Sequence, residues 1–389
     1  MSRRLMAGVV FGLAWLGVAG WMWLRAPAAP ARLTLAPAAW QMPPVAPATP
    51  VFHRDWLNEA GTPPSVHAGS LAQLPDGDLV AAWFGGSREG AADVAIWMAR
   101  YDQDKGAWGR PWVSLRRAQV ARALGRGIRK LGNPVLAVDG RGRLVLFVVT
   151  VSVGGWAGSS VTVLHSLNGG RNWTRIRRLA TSPFLNVSTL VKAPPLPLAD
   201  GGWLLPVYHE LIHKRGEVLW LDADMRLRAR WRIGHRHALL QPWLVALDED
   251  RVLAFLRRAG DTARVFRSRS GDGGLHWTPP RPTDAPNPNA AVAVLRRPDG
   301  SLLMAANPEE GGRDTLALLL STDEGRHWRR IAVLEHSEDD DAEFSYPWLM
   351  RDRAGDYHLV YTWQRRRMRH VRFNEAWLAQ RIAATEMAQ

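Results

Sequence analysis

An eight-residue spelling recurs along this chain and restricts its fold more than any other feature. It reads Ser270, Gly271, Asp272, Gly273, Gly274, Leu275, His276, Trp277, and again Ser321, Thr322, Asp323, Glu324, Gly325, Arg326, His327, Trp328. A third copy at 166–173 carries Asn168 where the others carry aspartate. The pattern suits a tight β-hairpin. Ser and Asp side chains bond nearby backbone N–H groups, glycine takes a positive φ, and tryptophan plugs the turn onto the sheet.

The spacing of the copies extends this to the whole chain. Trp173 and Trp277 lie 104 residues apart and Trp277 and Trp328 lie 51 apart, so the longer gap holds two periods and a worn copy near 222–231. Another worn copy reads Asp104, Lys105, Gly106, Ala107, Trp108. Independently, a turn followed by an apolar strand starts at Asp76, Asp139, Asp200, Asp248, Asp299 and Asp352, six times in all. Two signals sharing a period of about 40–50 residues, with several short strands in each, describe propeller blades. A β-sandwich with chance turn repeats does not explain why they stay in step. The expected fold is therefore all-β, a six-bladed β-propeller over 51–373.

The two ends carry different signals. Arg3 and Arg4 precede an apolar run over 5–24, about the length that crosses a bilayer as a helix. Its length, and Arg25 directly after it, favour a retained signal-anchor over 1–25, while Ala26, Pro27 and Ala28 offer a small-residue cleavage site. Arginines before and after the span orient the N-terminus to the cytoplasm. That places the propeller outside, in the periplasm of a bacterial cell envelope tethered to the inner membrane. The Ala- and Pro-rich stretch 26–50 reads as a stiff tether that contributes no core. Residues 374–389 read as a short helix or frayed tail.

With no cysteine, disulfide and thiolate chemistry are excluded. The formal net charge of +14 admits nucleic acid, anionic lipid or acidic sugar as partners, although scattered arginines also follow from composition alone. The denser run Arg365, Arg366, Arg367, Met368, Arg369 reads as a solvated edge of the last blade.

A propeller gathers ligands at its axis, so the chemistry is expected from charged residues supplied one or two per blade. Arg88 and Glu89 sit in a Gly-rich turn after an apolar strand, and Asp93 precedes the next strand. Arg257 and Arg258 close a strand, Arg313 precedes one, and Tyr346 begins one after Glu343. Arginines from separate blades meet only around something anionic; singly, each reads as a solvated surface residue. His67 and His209 read either as residues satisfying backbone groups at strand ends or as catalytic groups, and no spacing resembles a metal site. The acidic segment 338–341 reads as a solvated loop, with calcium binding as the other reading. No phosphate loop, dinucleotide fingerprint or serine-nucleophile elbow is present. No cofactor, metal or nucleic-acid partner is expected.

On these residues the chain resembles the sialidase (exo-α-sialidase, neuraminidase) superfamily, in its bacterial branch with degenerate Asp-box (BNR) repeats. Sialidases begin with an Arg-Ile-Pro-x-Leu stretch, then an apolar strand ending in a Glu-x-Arg turn, then the acid/base aspartate. This chain reads His67, Ala68, Gly69, Ser70, Leu71, then 84–88, then Asp93. The family's Asn-Pro segment is matched by Asn133 and Pro134, its second and third carboxylate-binding arginines by Arg257 and Arg313, and its nucleophilic tyrosine by Tyr346. Two positions depart from the pattern. His67 stands where the first arginine belongs, and Gln241 is the nearest match to the glutamate that activates the tyrosine. A phenol with an unperturbed pKa of about 10 needs a base or dense positive charge to attack at neutral pH. Gln241 cannot be that base, and Glu210 and Glu343 are its possible substitutes.

The resemblance implies a retaining glycoside hydrolase acting on a terminal acidic sugar. Asp93 would be the acid/base, Tyr346 the nucleophile and Glu210 a catalytic partner, with His67, Arg88, Glu89, Gln241, Arg257 and Arg313 binding the substrate. Two alternatives stay open. One is a non-catalytic glycan-binding propeller. The other is a glycosidase or lyase for another uronic or deoxy sugar, in which His67 has taken a catalytic role.

Overall fold

In a computed structural model of the protein, the described residues are 30–42, 48–182, 186–234 and 238–387, with isolated positions 12, 15 and 17. Apart from those three positions, the run expected as an anchor lies outside the described residues. Among the described residues no helix is long and apolar enough to cross a membrane. Residues up to 31 form a unit of their own, and the account below concerns the compact unit that begins at Arg32.

Six antiparallel sheets follow one another along this unit. The first blade is built on Ser65–Gln73, Leu79–Gly86, Ala95–Asp102 and the short outer pieces Ala107–Trp108 and Trp112–Arg116. The second runs through Lys130–Val138, Leu144–Val151, Ser159–Ser166 and Thr174–Arg178. In the third, a split inner strand, Leu190–Val191 and Leu196–Pro197, pairs with Trp203–His209, followed by Arg215–Leu221 and Leu227–Ile233. The fourth holds Leu239–Ala246, Val252–Arg258, Arg264–Ser270 and Arg281–Pro286. The fifth holds Ala293–Arg296, Leu302–Ala306, Thr315–Ser321 and Arg329–His336. The sixth starts with Phe344–Arg351, Tyr357–Trp363 and Arg367–Phe373, and takes its outermost strand from the front of the chain, Phe52–Trp56. That pairing closes the ring. Strands such as Leu79–Gly86 and Leu144–Val151 are buried at every position, because each blade packs on a neighbour through both faces.

Both repeat signals mark the same end of the blades. All six aspartate turns join the first strand of a blade to the second, and the Trp boxes join the third to the fourth. In an up-and-down sheet those turns share one face, so the two remaining kinds of loop share the other. Each box is held by local bonds. Ser270 Oγ donates to Asp272 Oδ1 at 2.7 Å, and the same oxygen accepts from the N–H groups of Leu275 and His276 at 3.0 Å. Ser321 and Asp323 repeat this arrangement with the N–H groups of Arg326 and His327. The worn copies are also turns between third and fourth strands, with Asp222 Oδ1 accepting from the N–H groups of Asp224 and Arg226.

The tether differs from expectation. Leu33 and Leu35 are buried among Leu198, Leu204, Val218 and Leu275, and a short 3-10 turn follows at Pro37–Ala39. Backbone bonds stitch this strap to two blades: Leu33 N–H to Asp272 O, Leu35 N–H to Glu249 O, and Ala36 N–H to Pro197 O. A side chain at Gly273 would overlap the Leu33 carbonyl, so the box glycine both takes φ +75° and admits the strap. Alanine and leucine in this stretch serve burial, and a reading of composition alone treats them as spacer. At the other end the helix Glu375–Met387 is docked: Leu378 is buried, Trp377 stacks on Phe52 with ring centres 4.6 Å apart, and Glu375 pairs with Arg297. A further helix, Arg117–Leu124, absent from the expected all-β pattern, joins the first two blades and ends at Gly125 with φ +60°.

Candidate functional site

At the axial face opposite the boxes, each blade holds one residue other than glycine in left-handed backbone within or just before its innermost strand: Ala68, Asn133, Ser188, Gln241, Asn289 and Tyr346. In four blades the innermost strand skips register at this point, between His67 and Ser70, Gly132 and Val135, Leu240 and Trp243, and Ser345 and Trp348. Such a bulge leaves one residue out of the ladder and re-aims its side chain. Three of the six precede proline, at Asn133-Pro134, Gln241-Pro242 and Tyr346-Pro347, where a missing N–H makes a bulge inexpensive. Left-handed backbone at a residue such as tyrosine or glutamine costs about 1–2 kcal/mol, so packing around the axis must enforce it.

These bulges bring Tyr346, Gln241 and Asn133 together with Tyr208. The Gln241 amide N–H₂ donates to the Tyr346 hydroxyl oxygen at 3.2 Å and to that of Tyr208 at 3.3 Å. Asn133 Nδ2 donates to Tyr208 as well, at 3.1 Å. Gln241 is buried and its Oε1 has no hydrogen-bond partner. Burial, then the neighbouring Tyr346 and Glu210, push the Tyr208 phenol upward, so Tyr208 is a neutral member of the cluster. Glu210 itself sits at the end of its strand with its backbone N–H on Ser188 Oγ at 2.7 Å.

His67, expected to line the substrate, is only 2 % exposed. Its ring packs 4.1 Å from that of Tyr346 and against Phe84, and its Nδ1 has no partner. Burial, then the positive charge of Arg365, hold its pKa well below the usual range. A neutral, enclosed imidazole supports the tyrosine and does not reach a sugar.

Cations converge on the same place. Arg257 ends the second strand of the fourth blade, opposite Leu240, and its Nε and Nη1 are shielded from water with no partner. Arg313 donates to Glu343 Oε1 at 3.2 Å and to the Asn289 carbonyl at 3.1 Å. Arg365 departs from the solvated edge expected for its basic run: it bonds Glu343 Oε2 at 2.5 Å and Glu89 Oε2 at 2.6 Å. Its neighbours Arg367 and Arg369 instead lie over Trp56, 3.7 and 3.5 Å from the ring centre. Burial opposes ionisation of Glu343, but the bonds from Arg365 and Ser345 and the charge of Arg365 outweigh it and hold the carboxyl down at about 2. Glu343 therefore anchors the clamp and has no capacity left to serve as a base.

Asp93 and Arg88 stand exposed on the loop between the second and third strands of the first blade. Asp93 accepts from Ser87 N–H at 2.8 Å and from Ser87 Oγ at 2.9 Å, bonds that lower its pKa. It lies on the site's side of the propeller, free of burial.

The residue that sequence reasoning missed altogether is Lys192. It follows the first half of the third blade's inner strand, is 3 % exposed, and points its ammonium at Tyr346, Trp348 and Trp243. Nothing local announces it, since the surrounding sequence is an ordinary apolar strand. Among the described residues, no cluster of His, Asp and Glu that could hold a metal ion is found.

A family model described as a BNR repeat-like domain matches residues 77–359. No curated protein matches the chain in sequence. Among solved structures, a Hadza microbial sialidase superposes with a TM-score of 0.66 at 15% identity, over 82% of this chain and 67% of that chain. An intramolecular trans-sialidase from Ruminococcus gnavus gives 0.63 at 13% identity, over 80% and 95%. A protein of unknown function from Dyadobacter fermentans gives 0.63 at 15% identity, over 80% and 94%. At these identities the likeness establishes a shared fold.

Proposed function

This chain belongs to the BNR repeat-like domain family, and we propose that it is a sialidase-like glycoside hydrolase that removes a terminal acidic sugar from a glycan. The observation that carries this reading is Arg257, a half-buried guanidinium beside the Tyr208 and Tyr346 cluster with no carboxylate partner among the described residues. Desolvated donors on a cation are costly unless an anion takes them up. A sugar carboxylate fits that role, held as a fork by Arg257 and steadied by Arg313 and Arg365.

A carboxylate on the anomeric carbon also explains the nucleophile. An attacking carboxylate would meet repulsion of about 1–4 kcal/mol at 4 Å, which a tyrosine avoids. In the proposed reaction the phenol proton passes to solvent and the Tyr346 oxygen bonds the anomeric carbon as the glycosidic C–O bond breaks. Asp93, once protonated and released from Ser87, gives its proton to the leaving oxygen. Water then attacks the same carbon, returns a proton to Asp93, and frees Tyr346 as a phenolate that takes a proton back from solvent. Arg88 and Glu89 border the leaving-group side, and Glu210 polarises the Tyr208 end of the cluster. We place the propeller in a cell envelope, tethered through the apolar run at 5–24, on the strength of that run alone.

One observation favours a second reading, a glycan-binding propeller without turnover. Gln241 occupies the position next to the Tyr346 hydroxyl where a base would serve. Incubation of the protein with sialosides and uronic-acid glycans, scored for binding and for sugar release, separates the two. Release by wild type supports the hydrolase. Binding without release, with slow release gained by Gln241→Glu, supports the binding module.

A further inference from the structure

We propose that Lys192 is the positioning residue of Tyr346, fixing its strained backbone and setting a buried ammonium beside its ring where Gln241 leaves the hydroxyl without a base. The inference rests on the reading of Tyr346 as the nucleophile. Lys192 belongs to the third blade, yet its Nζ donates to the Pro347 carbonyl of the sixth at 3.1 Å, one residue after Tyr346. That bond holds the peptide next to a tyrosine whose φ is +55°. The same Nζ lies 5.6 Å from the centre of the Tyr346 ring, 5.4 Å from that of Trp348 and 5.8 Å from that of Trp243. Three aromatic faces replace its water shell.

The charges around this cage make it costly as mere packing. Among the described residues no carboxylate pairs with Lys192. Arg257 faces it from the fourth blade with the same sign, His67 approaches from the first, and Glu343 is committed to Arg313 and Arg365. Burial, with the Arg257 guanidinium beside it, pushes the ammonium down to about 7. A lysine that only filled space here would be better replaced by an apolar side chain of similar length. Its placement is intelligible if negative charge develops on the adjacent phenol, which the ammonium and the Gln241 amide stabilise from two sides. Lys192 acts in its protonated form, which prevails below about pH 7, and forms no bond to substrate.

The test is the reactivity of Tyr346 toward a phenol-directed acylating reagent, N-acetylimidazole, in the full-length protein, read by mass mapping of each of the five tyrosines. No substrate is needed, so the outcome stands apart from whether sialosides are cleaved. Lys192→Met removes charge and donor together; Lys192→Gln removes the charge but keeps a donor for the Pro347 carbonyl. Both should slow acylation of Tyr346 about tenfold, a moderate electrostatic effect, while the other tyrosines react as in wild type. If wild type releases sugar, kcat should fall by a similar factor with KM little changed. An unchanged Tyr346 rate in Lys192→Gln, with native melting, overturns the proposal. Absence of sugar release by wild type with the acylation pattern as expected overturns only the hydrolase reading.

Discussion

At the scale of single residues, the energetics of the site turn on cations that burial has deprived of water. Arg257→Ala should weaken binding of an acidic sugar by about 2–5 kcal/mol, the usual loss for one partner of a buried charge pair. Arg257→Lys should recover little of it, because an ammonium cannot form two parallel bonds. Calorimetric titration with a sialoside checks both. Arg313→Ala has a different consequence: it also removes one of the guanidinium partners of Glu343 and leaves Arg365 to hold that carboxylate. Lys192 makes stability depend on pH. Its folded value of about 7 lies below the ordinary 10.5, so between these values the unfolded chain binds a proton that the folded chain lacks. Stability should therefore rise with pH across that window, by at most about 1.4 kcal/mol per pH unit, and be lost as pH falls toward 7. Comparing melting midpoints at pH 7 and 9 should show this rise in wild type and a flatter response in Lys192→Met.

At the scale of elements, what the sequence reveals depends on how local the chemistry is. The box at 270–277 and the turns at Asp76 through Asp352 are readable because their bonds close within a few residues, as Asp272 does with Leu275 and His276. The bulges were half-readable: X-Pro recurs at 133, 241 and 346, but only pairing with the neighbouring strand shows that those residues leave the ladder. Lys192 and Arg365 were not readable, since one follows an apolar strand and the other lies in a basic run; assembly of the ring carries Lys192 to Tyr346, and strand pairing within the sixth blade returns Arg365 to Glu343. The strap was misread because leucine in an Ala/Pro-rich stretch looks like spacer until its neighbours are known. Its burial gives a prediction. Deletion up to residue 31 should leave the melting midpoint unchanged, whereas deletion up to residue 49 exposes the sites of Leu33 and Leu35 and should cost about 3–6 kcal/mol. Thermal or urea unfolding of the two truncations distinguishes these outcomes.

At the scale of the molecule, the face that specifies the fold and the face that carries the candidate site are separate. Six aspartate turns and the Trp boxes close the blades at one end, and the strap crosses that same end; Arg257, Arg313, Arg365, Tyr346 and the Asp93 loop occupy the other. The separation lets the site depart from a sialidase pattern at His67 and Gln241 without disturbing the repeats that build the ring. Whether the departing site still performs chemistry is answered by one comparison: release of the terminal sugar from a sialoside by wild type and by Tyr346→Phe, with binding of the same sialoside measured alongside. The hydrolase reading predicts release by wild type, and near-complete loss of release with retained binding in Tyr346→Phe. Undiminished release by Tyr346→Phe, or a wild-type protein that neither binds nor cleaves acidic sugars, would contradict it.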